Sequence, residues 1–362
     1  MVLIWARLSV SKKKMKTKTL SKSLYFVFLF LFLSFKSLPQ NNSNQFSILF
    51  YNVENLFDLD DDPQTEDDEF TPEGDRHWTY KRLNNKLLNL SKVILSSSGW
   101  TPPEIIALCE IENSAVLERL IKNTPLKAYP YKIIHKESPD HRGTDVAFLY
   151  NDKYFYPLEY QHHPLLSKSG LVVKTREILY VKGIFNEQDT LHFFINHWPS
   201  RYSGLLETKP LRIEAAQLLK QKVNELKSKY SSPKIIVLGD FNDQPSDESI
   251  KNHLGAVNVS DQIEPTGLYN LSADWPGTGL GTLKYQLQWF VFDQIIVSGS
   301  LLKQGSGLFV KIENASILKQ SFLFEKDEKY GGLKPKRTYI GFKYNGGFSD
   351  HLPVLFKLEK EN

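Results

Sequence analysis

The feature that most constrains the fold is a set of short apolar runs bounded by polar residues: FSILFYNVEN, IIALCEIEN, DVAFLYN, LHFFINHW, KIIVLGDFND, VFDQIIVS and HLPVLFKL. Runs this short, rich in β-branched and aromatic residues and without strict alternation, are strands covered on both faces. Several release Asn, Glu, His or Asp at their carboxyl ends, so a sheet built from them collects polar groups along one rim. Helical spacing lies between them. Leu83, Leu87, Leu90 and Ile94 repeat after Trp78, Ala216, Leu219, Val223 and Leu226 repeat in a Lys/Glu-rich stretch, and Val116, Leu117, Leu120 and Ile121 follow Asn113 as an amino-terminal cap. Strand and helix signals interleave without a Pro/Gly/Ser-rich linker or a repeat of fixed period, which predicts one α/β domain.

The first residues differ from the rest. Arg7, Lys12, Lys13, Lys14, Lys16, Lys18 and Lys22 precede the apolar run Leu24 to Leu33 with no acid among them. This is the layout of a secretory signal peptide, too short in its apolar part for a comfortable bilayer crossing. An uncleaved anchor is the alternative, because no clean small-residue cleavage site follows. The expected organisation is therefore a signal peptide or anchor over 1–40, a linker over 41–45 and one domain over 46–360, with a periplasmic or extracellular location. Removing the leader, with its eight basic residues, turns the formal charge of +4 into −4. An acidic mature chain exerts no global pull on nucleic acid. A hydrophobic content of 41% excludes a disordered chain, and the single cysteine, Cys109, excludes a disulfide framework and a cysteine zinc cluster. Cys109 is expected as a small buried hydrophobe.

Two stretches read as long loops. Asp58 to Glu69 holds eight carboxylates in twelve residues without the glycine turn of an EF-hand, and reads as a solvated loop. The Gly/Trp/Tyr-rich segment from Glu264 to Trp289 either covers a substrate or plugs the edge of the core.

The polar strand ends carry the parts that phosphoester hydrolysis needs: neutralised phosphoryl charge, an activated water and a protonated leaving oxygen. Glu110 is the best single ligand for an oxygen-seeking cation, and Asn52 offers an amide at the metal or the phosphate. Asp240 and Asn242 in GDFND form an i, i+2 pair expected on one face of an extended segment. Asp350 and His351 set a carboxylate beside an imidazole. Arg142, Arg201 and Arg337 flank RGTD, HWPSR and KRTY as candidate phosphate forks, whereas His162 and His163 are expected as surface residues of a loop.

The ordered series YNVEN, CEIEN, NHWPSR, GDFND, FDQIIVS and SDHLP resembles the endonuclease/exonuclease/phosphatase superfamily, the deoxyribonuclease I-like fold, from about Phe46 to Leu358. The resemblance implies a four-layer α/β sandwich, with two packed mixed β-sheets flanked by helices and an active site at one rim. It further implies Glu110, Asn52 and Asp350 at a Mg2+ ion, with Mn2+ or Ca2+ as substitutes. Asp240 would orient or activate water, Asn242 would touch the phosphate, and His351 would act as base or phosphate ligand. His197 would be an acid or phosphate ligand, Asp293 would orient an imidazole, and Asp145 is a second candidate orienter. His197 separates the chain from the apurinic-site branch, which has Tyr there, and Glu112 stands where the digestive deoxyribonuclease pattern has Arg. A nuclease acting on DNA or RNA is the first expectation. A phosphodiesterase or phosphatase on lipid headgroups or small phosphate esters is the second, and a non-catalytic binding protein on the same fold is the rival of another class. No feature calls for an obligate protein partner, and membrane contact is expected only if the leader is retained.

Overall fold

The computed structural model describes residues 44–361 apart from 168, 203, 261 and 306. The expected leader and the first part of the linker lie outside the described residues.

Two seven-stranded mixed sheets carry the domain. The first is built from β1 (Gln45–Leu56), β2 (Ile105–Ile111), β3 (Tyr131–His135), β4 (Asp145–Asn151), β14 (Leu308–Val310), β15 (Ser316–Ile317) and β20 (Val354–Lys360). Its order is β14-β20-β1-β2-β4-β3, with β15 paired to β20. The second comprises β5 (Phe155–His163), β6 (Ile178–Phe185), β7 (Asp189–His197), β8 (Lys234–Asp240), β9 (Ala256–Val257), β10 (Leu268–Asn270) and β13 (Asp293–Ser298). Its order is β5-β6-β7-β8-β13-β10-β9. Three hairpins stand outside these sheets: β11 (Leu283–Tyr285) with β12 (Gln288–Phe290), β16 (Phe324–Lys326) with β17 (Leu333–Pro335), and β18 (Tyr339–Ile340) with β19 (Lys343–Tyr344).

The period of two along a strand sorts the apolar residues into layers. Ile48 and Phe50 of β1 meet Ala107, Phe148, Phe193, Ile236, Ile295 and Val354 between the sheets. Leu49 and Tyr51, one residue out of phase, pack with Ile106 and Leu108 against Leu83, Leu87 and Leu117. These last belong to α1 (Tyr80–Ser96) and α2 (Ser114–Lys122). On the far face Phe194, Ile235 and Val237 receive Ala216, Leu219 and Val223 of α3 (Leu205–Lys229). The order is helices, sheet, sheet, helix, as expected, and it explains why the strands are apolar along their whole length. Each such buried aliphatic side chain stabilises the fold by about 1.5–3 kcal/mol.

Local signals match local structure at several points. Asn113 caps α2 by accepting the Val116 amide at 3.1 Å. Cys109 is fully buried between the sheets, and burial pushes its thiol well above the usual range. The structure corrects one expectation: His162 and His163 end the edge strand β5 rather than lying in a loop. Tyr156, Leu158 and Tyr160 are exposed along that strand, so its sequence lacks the signature of a buried one. The 264–289 segment plugs the core only in part: residues 268–272 and 281–282 are buried and Trp275 and Trp289 pack against the core, whereas 276–279 and 285–288 are exposed. Its hairpin end is tied to the segment before β20 by a bridge between Leu283 and His351. The 58–69 stretch is largely exposed, although Asp67 is buried. Among the described residues, no helix is long and apolar enough to cross a membrane.

Candidate active site

Strand register alone brings three predicted residues together. His197 ends β7 opposite Asp240 of parallel β8, and Asp293 begins β13 opposite the same Asp240 on its other side. The first sheet delivers Asn52 and Glu110 from β1 and β2, where the pairing is interrupted by bulges. Glu110 has φ +63°, and Glu54 and Asn55 each have φ +53°. Left-handed backbone is uncommon for side chains other than Gly and Asn, so the bulged tops of both strands hold strain that re-aims their polar groups.

Asp240 is the focus. Its Oδ2 accepts a hydrogen bond from Asn52 Nδ2 at 3.0 Å and lies 3.7 Å from His351 Nε2 and 3.8 Å from His197 Nε2. Burial raises the Asp240 pKa to about 6 against the opposing pull of His351, leaving it a carboxylate at neutral pH. Glu110 accepts from Asn52 Nδ2 at 3.2 Å and from the Asn55 amide at 2.9 Å.

The two histidines are unlike. His351 Nδ1 lies 2.7 Å from Asp293 Oδ2, and its own amide donates to Ser349 Oγ at 3.0 Å. Burial disfavours charge on His351, but Asp293 and Asp240 outweigh it and hold the imidazole well above its ordinary pKa. His197 is driven well below its ordinary value by burial, reinforced by Arg176 and Arg142. His197 is therefore a neutral ring and His351 a charged one. Among the described residues His197 Nδ1 has no hydrogen-bond partner, and Nε2 faces the carboxylates of Glu110 and Asp240 at 3.9 and 3.8 Å, surroundings that favour the tautomer with its proton on Nε2.

Three expectations need correction. Asn242 is not on an extended segment; it has φ +50°, its amide donates to Asp240 Oδ1 and its Nδ2 donates to Trp198 O at 3.0 Å. The strand turns sharply here because Asn tolerates the left-handed region. Asp145 orients neither active-site histidine: it accepts the Ser138 amide and lies 3.6 Å from His135. Arg201 is not a free fork either. Its Nε donates to Asn242 O, and its Nη2 donates to Asp243 and Asp247. Arg142 keeps closer to the rim, donating to Thr144 Oγ1 at 3.3 Å beside Asp140, and Arg337 bridges Glu54 and Asp350.

Several contributors carry no distinct sequence signal. Ser349 donates to Asn52 O while accepting the His351 amide, tying the end of β1 to the segment that leads into its neighbour β20. Asp243 gathers Arg201, Arg212 and Ser249 beneath the GDFND turn. The serine of SDH and the last acid of GDFND belong to the motif series, and only their partners in the fold reveal their use.

The site suits a divalent cation. With Glu54 and Arg337 paired to each other, Glu110, Asp240, Asp293 and Asp350 outnumber the cationic Lys86 and His351 around the site, an excess of negative charge that a divalent cation would balance. Asp240, Asp293 and His351 also offer donor atoms within 4.8 Å of one another. The 2.7 Å contact between His351 and Asp293 engages two of these three with each other, and Glu110, Asn52 and Asp350 are further oxygen donors that could hold a cation.

The fold is shared by solved structures of low identity. An endonuclease/exonuclease/phosphatase family protein from Bacteroides thetaiotaomicron matches with TM-score 0.54 at 16% identity, covering 88% of this chain and 98% of its own. A mannosyl-6-phosphatase from the same organism matches with TM-score 0.54 at 17%, covering 88% and 100%. The human Nocturnin catalytic domain matches with TM-score 0.52 at 15%, covering 88% and 95%. No curated protein matches the chain. The profile of the Endonuclease/Exonuclease/phosphatase family matches residues 47–360, and the chain belongs to that family.

Proposed function

We propose that this protein is an exported, Mg2+-dependent phosphoesterase that attacks phosphorus with water through Asp240. The carrying observation is the convergence of a neutral His197, a charged His351 and the Asn52 amide on one carboxylate oxygen of Asp240. A Mg2+ ion held by Glu110, Asn52 and Asp350 would neutralise charge on the phosphoryl oxygens. Asp240, ionised at neutral pH, orients the water and takes its proton as the oxygen–phosphorus bond forms. His351, kept charged by Asp293, and His197, as an Nε2–H donor, hold the phosphoryl oxygens where negative charge grows. Because both imidazoles lie beside Asp240, they serve the attacking side. The leaving oxygen departs on the opposite side and takes its proton from solvent.

For the substrate, a small or lipid-headgroup phosphate ester takes precedence over a nucleic acid. A cavity of about 780 Å³ is lined by Asp58, Asp60, Asp61, Asp62, Glu66, Glu112, Glu137, Asp140 and Asp145, against Lys174. Asp145 pairs with Ile111, the neighbour of Glu110, so this acidic wall begins beside the site. Burial raises the pKa of Glu112 to about 8 and that of Asp145 to about 7, and Asp140 is paired with Arg176 and Arg142. The charge of this wall therefore comes from its outer acids, Asp60, Asp61, Glu66 and Glu137, which disfavour a polyanionic strand and tolerate a neutral, hydroxylated or cationic leaving group. A nuclease remains the second reading, supported by Arg142 and Arg337 near the rim. Turnover of sugar phosphates and phospholipid headgroups, measured beside plasmid nicking in Mg2+, separates them. Nicking faster than ester turnover would put the nuclease first. Export rests on the leader sequence alone, and fractionation of cells producing the chain with and without residues 1–40 tests it.

A further inference from the structure

Glu54 and Arg337 form a charged pair beside the site that takes no part in the hydrolytic steps. Glu54 is 4% exposed, and both its oxygens are engaged: Oε1 accepts Arg337 Nε at 2.9 Å and Oε2 accepts the Thr338 amide at 2.6 Å. The segment it grips is pinned again from below. Buried Lys86 of α1 donates to Thr338 Oγ1 at 2.5 Å and to Phe348 O at 2.7 Å. Arg337 is thus fixed through its own Nε and through the next residue's amide. Its Nη2 reaches Asp350 Oδ2 at 3.0 Å, next to His351.

A guanidinium held this way is a built-in cation competing for Asp350. A divalent ion drawing on Asp350 must share that carboxylate with Arg337 and meet its like charge at short range. We propose that the Glu54–Arg337 pair sets how tightly the site takes its divalent metal, with Glu54 a positioning residue that acts only through Arg337. The inference rests on the reading of Glu110 and Asp350 as metal holders.

Calorimetric titration of the metal-free full chain with Mg2+ tests it. Arg337→Ala is expected to tighten Mg2+ binding by roughly five- to tenfold, since it removes a positive charge worth about 1 kcal/mol at a part-exposed site. Glu54→Gln is expected to weaken binding by a similar factor, because Arg337 then leans wholly on Asp350. In the Arg337→Ala background, Glu54→Gln is expected to change affinity by less than about twofold, the mark of a residue acting through its partner. Lys343→Ala, an equal loss of charge at an exposed position on the same segment, is expected to leave affinity unchanged. Arg337→Lys, which keeps the charge, guards against a variant that loses its fold: if folded Arg337→Ala weakens Mg2+ while Arg337→Lys preserves it, Arg337 is a prop and the proposal is overturned. Equal, additive effects of Glu54→Gln in both backgrounds also overturn it. Mg2+ binding that is lost in Glu110→Ala but indifferent to Arg337 defeats this inference alone, whereas a wild-type chain that takes no Mg2+ defeats the metal reading beneath it.

Discussion

His351 Nδ1 and Asp293 Oδ2, fifty-eight residues apart in the chain, lie 2.7 Å apart in the folded protein and join the last strand's motif to β13. The contact assigns the orienting acid, since Asp145 faces His135 instead. It also fixes the charge of the ring, because Asp293 leads the forces that raise the His351 pKa against burial.

Replacing Asp293 with Asn keeps the shape and removes that charge. The His351 pKa is then expected to fall, and kcat to fall by about 10²–10⁴, the range for a mispositioned catalytic imidazole. An NMR titration of His351 alongside steady-state kinetics checks both. An unchanged pKa with full turnover would show that Asp293 does not govern the ring.

Asp243 supports the turn that carries Asp240 and Asn242. It takes Arg212, which is fully buried, at 2.8 Å and Arg201 at 2.7 Å. Asp243→Ala leaves a buried guanidinium without its carboxylate and is expected to cost about 3–5 kcal/mol of stability. Denaturant unfolding measures this, and a loss below about 1 kcal/mol would contradict the assignment.

Much of the fold and site is legible in the sequence, and the limits have physical causes. The apolar runs mark β1, β2, β4, β7, β8, β13 and β20 because strands covered on both faces must be apolar throughout. β5 escapes because an edge strand with exposed Tyr156, Leu158 and Tyr160 has no such requirement. Asp240, His197 and Asp293 are found by motif, and register explains why those motifs meet. The fates of Arg201 and Asp145 are hidden, since an arginine's partner is chosen by tertiary neighbours such as Asp243 and Asp247. The departure from an extended conformation at Asn242 is equally invisible, being a backbone property.

Away from the site, His192 offers a pH test. It is buried, its Nδ1 lies 2.8 Å from Tyr180 Oη, and burial with a contribution from Lys182 lowers its pKa to about 4. The unfolded chain, with an imidazole pKa of about 6.5, binds the proton more readily, so His192 costs stability as pH falls through the window from about 6.5 to about 4. Over that window the wild-type chain is expected to lose on the order of 3 kcal/mol relative to His192→Gln, which does not titrate. Chemical denaturation of both proteins across these pH values measures the difference, and a constant difference would refute the shift.

The central claim is metal-dependent attack on phosphorus at Asp240, and it is tested most directly by hydrolysis of bis-p-nitrophenyl phosphate in Mg2+ with and without chelator. The expected result is turnover that chelator abolishes and added Mg2+ restores, and that Glu110→Ala and His351→Ala each remove while remaining folded. Failure to hydrolyse any diester, monoester, DNA or RNA in Mg2+ or Mn2+, or turnover indifferent to chelator and to both substitutions, would contradict it.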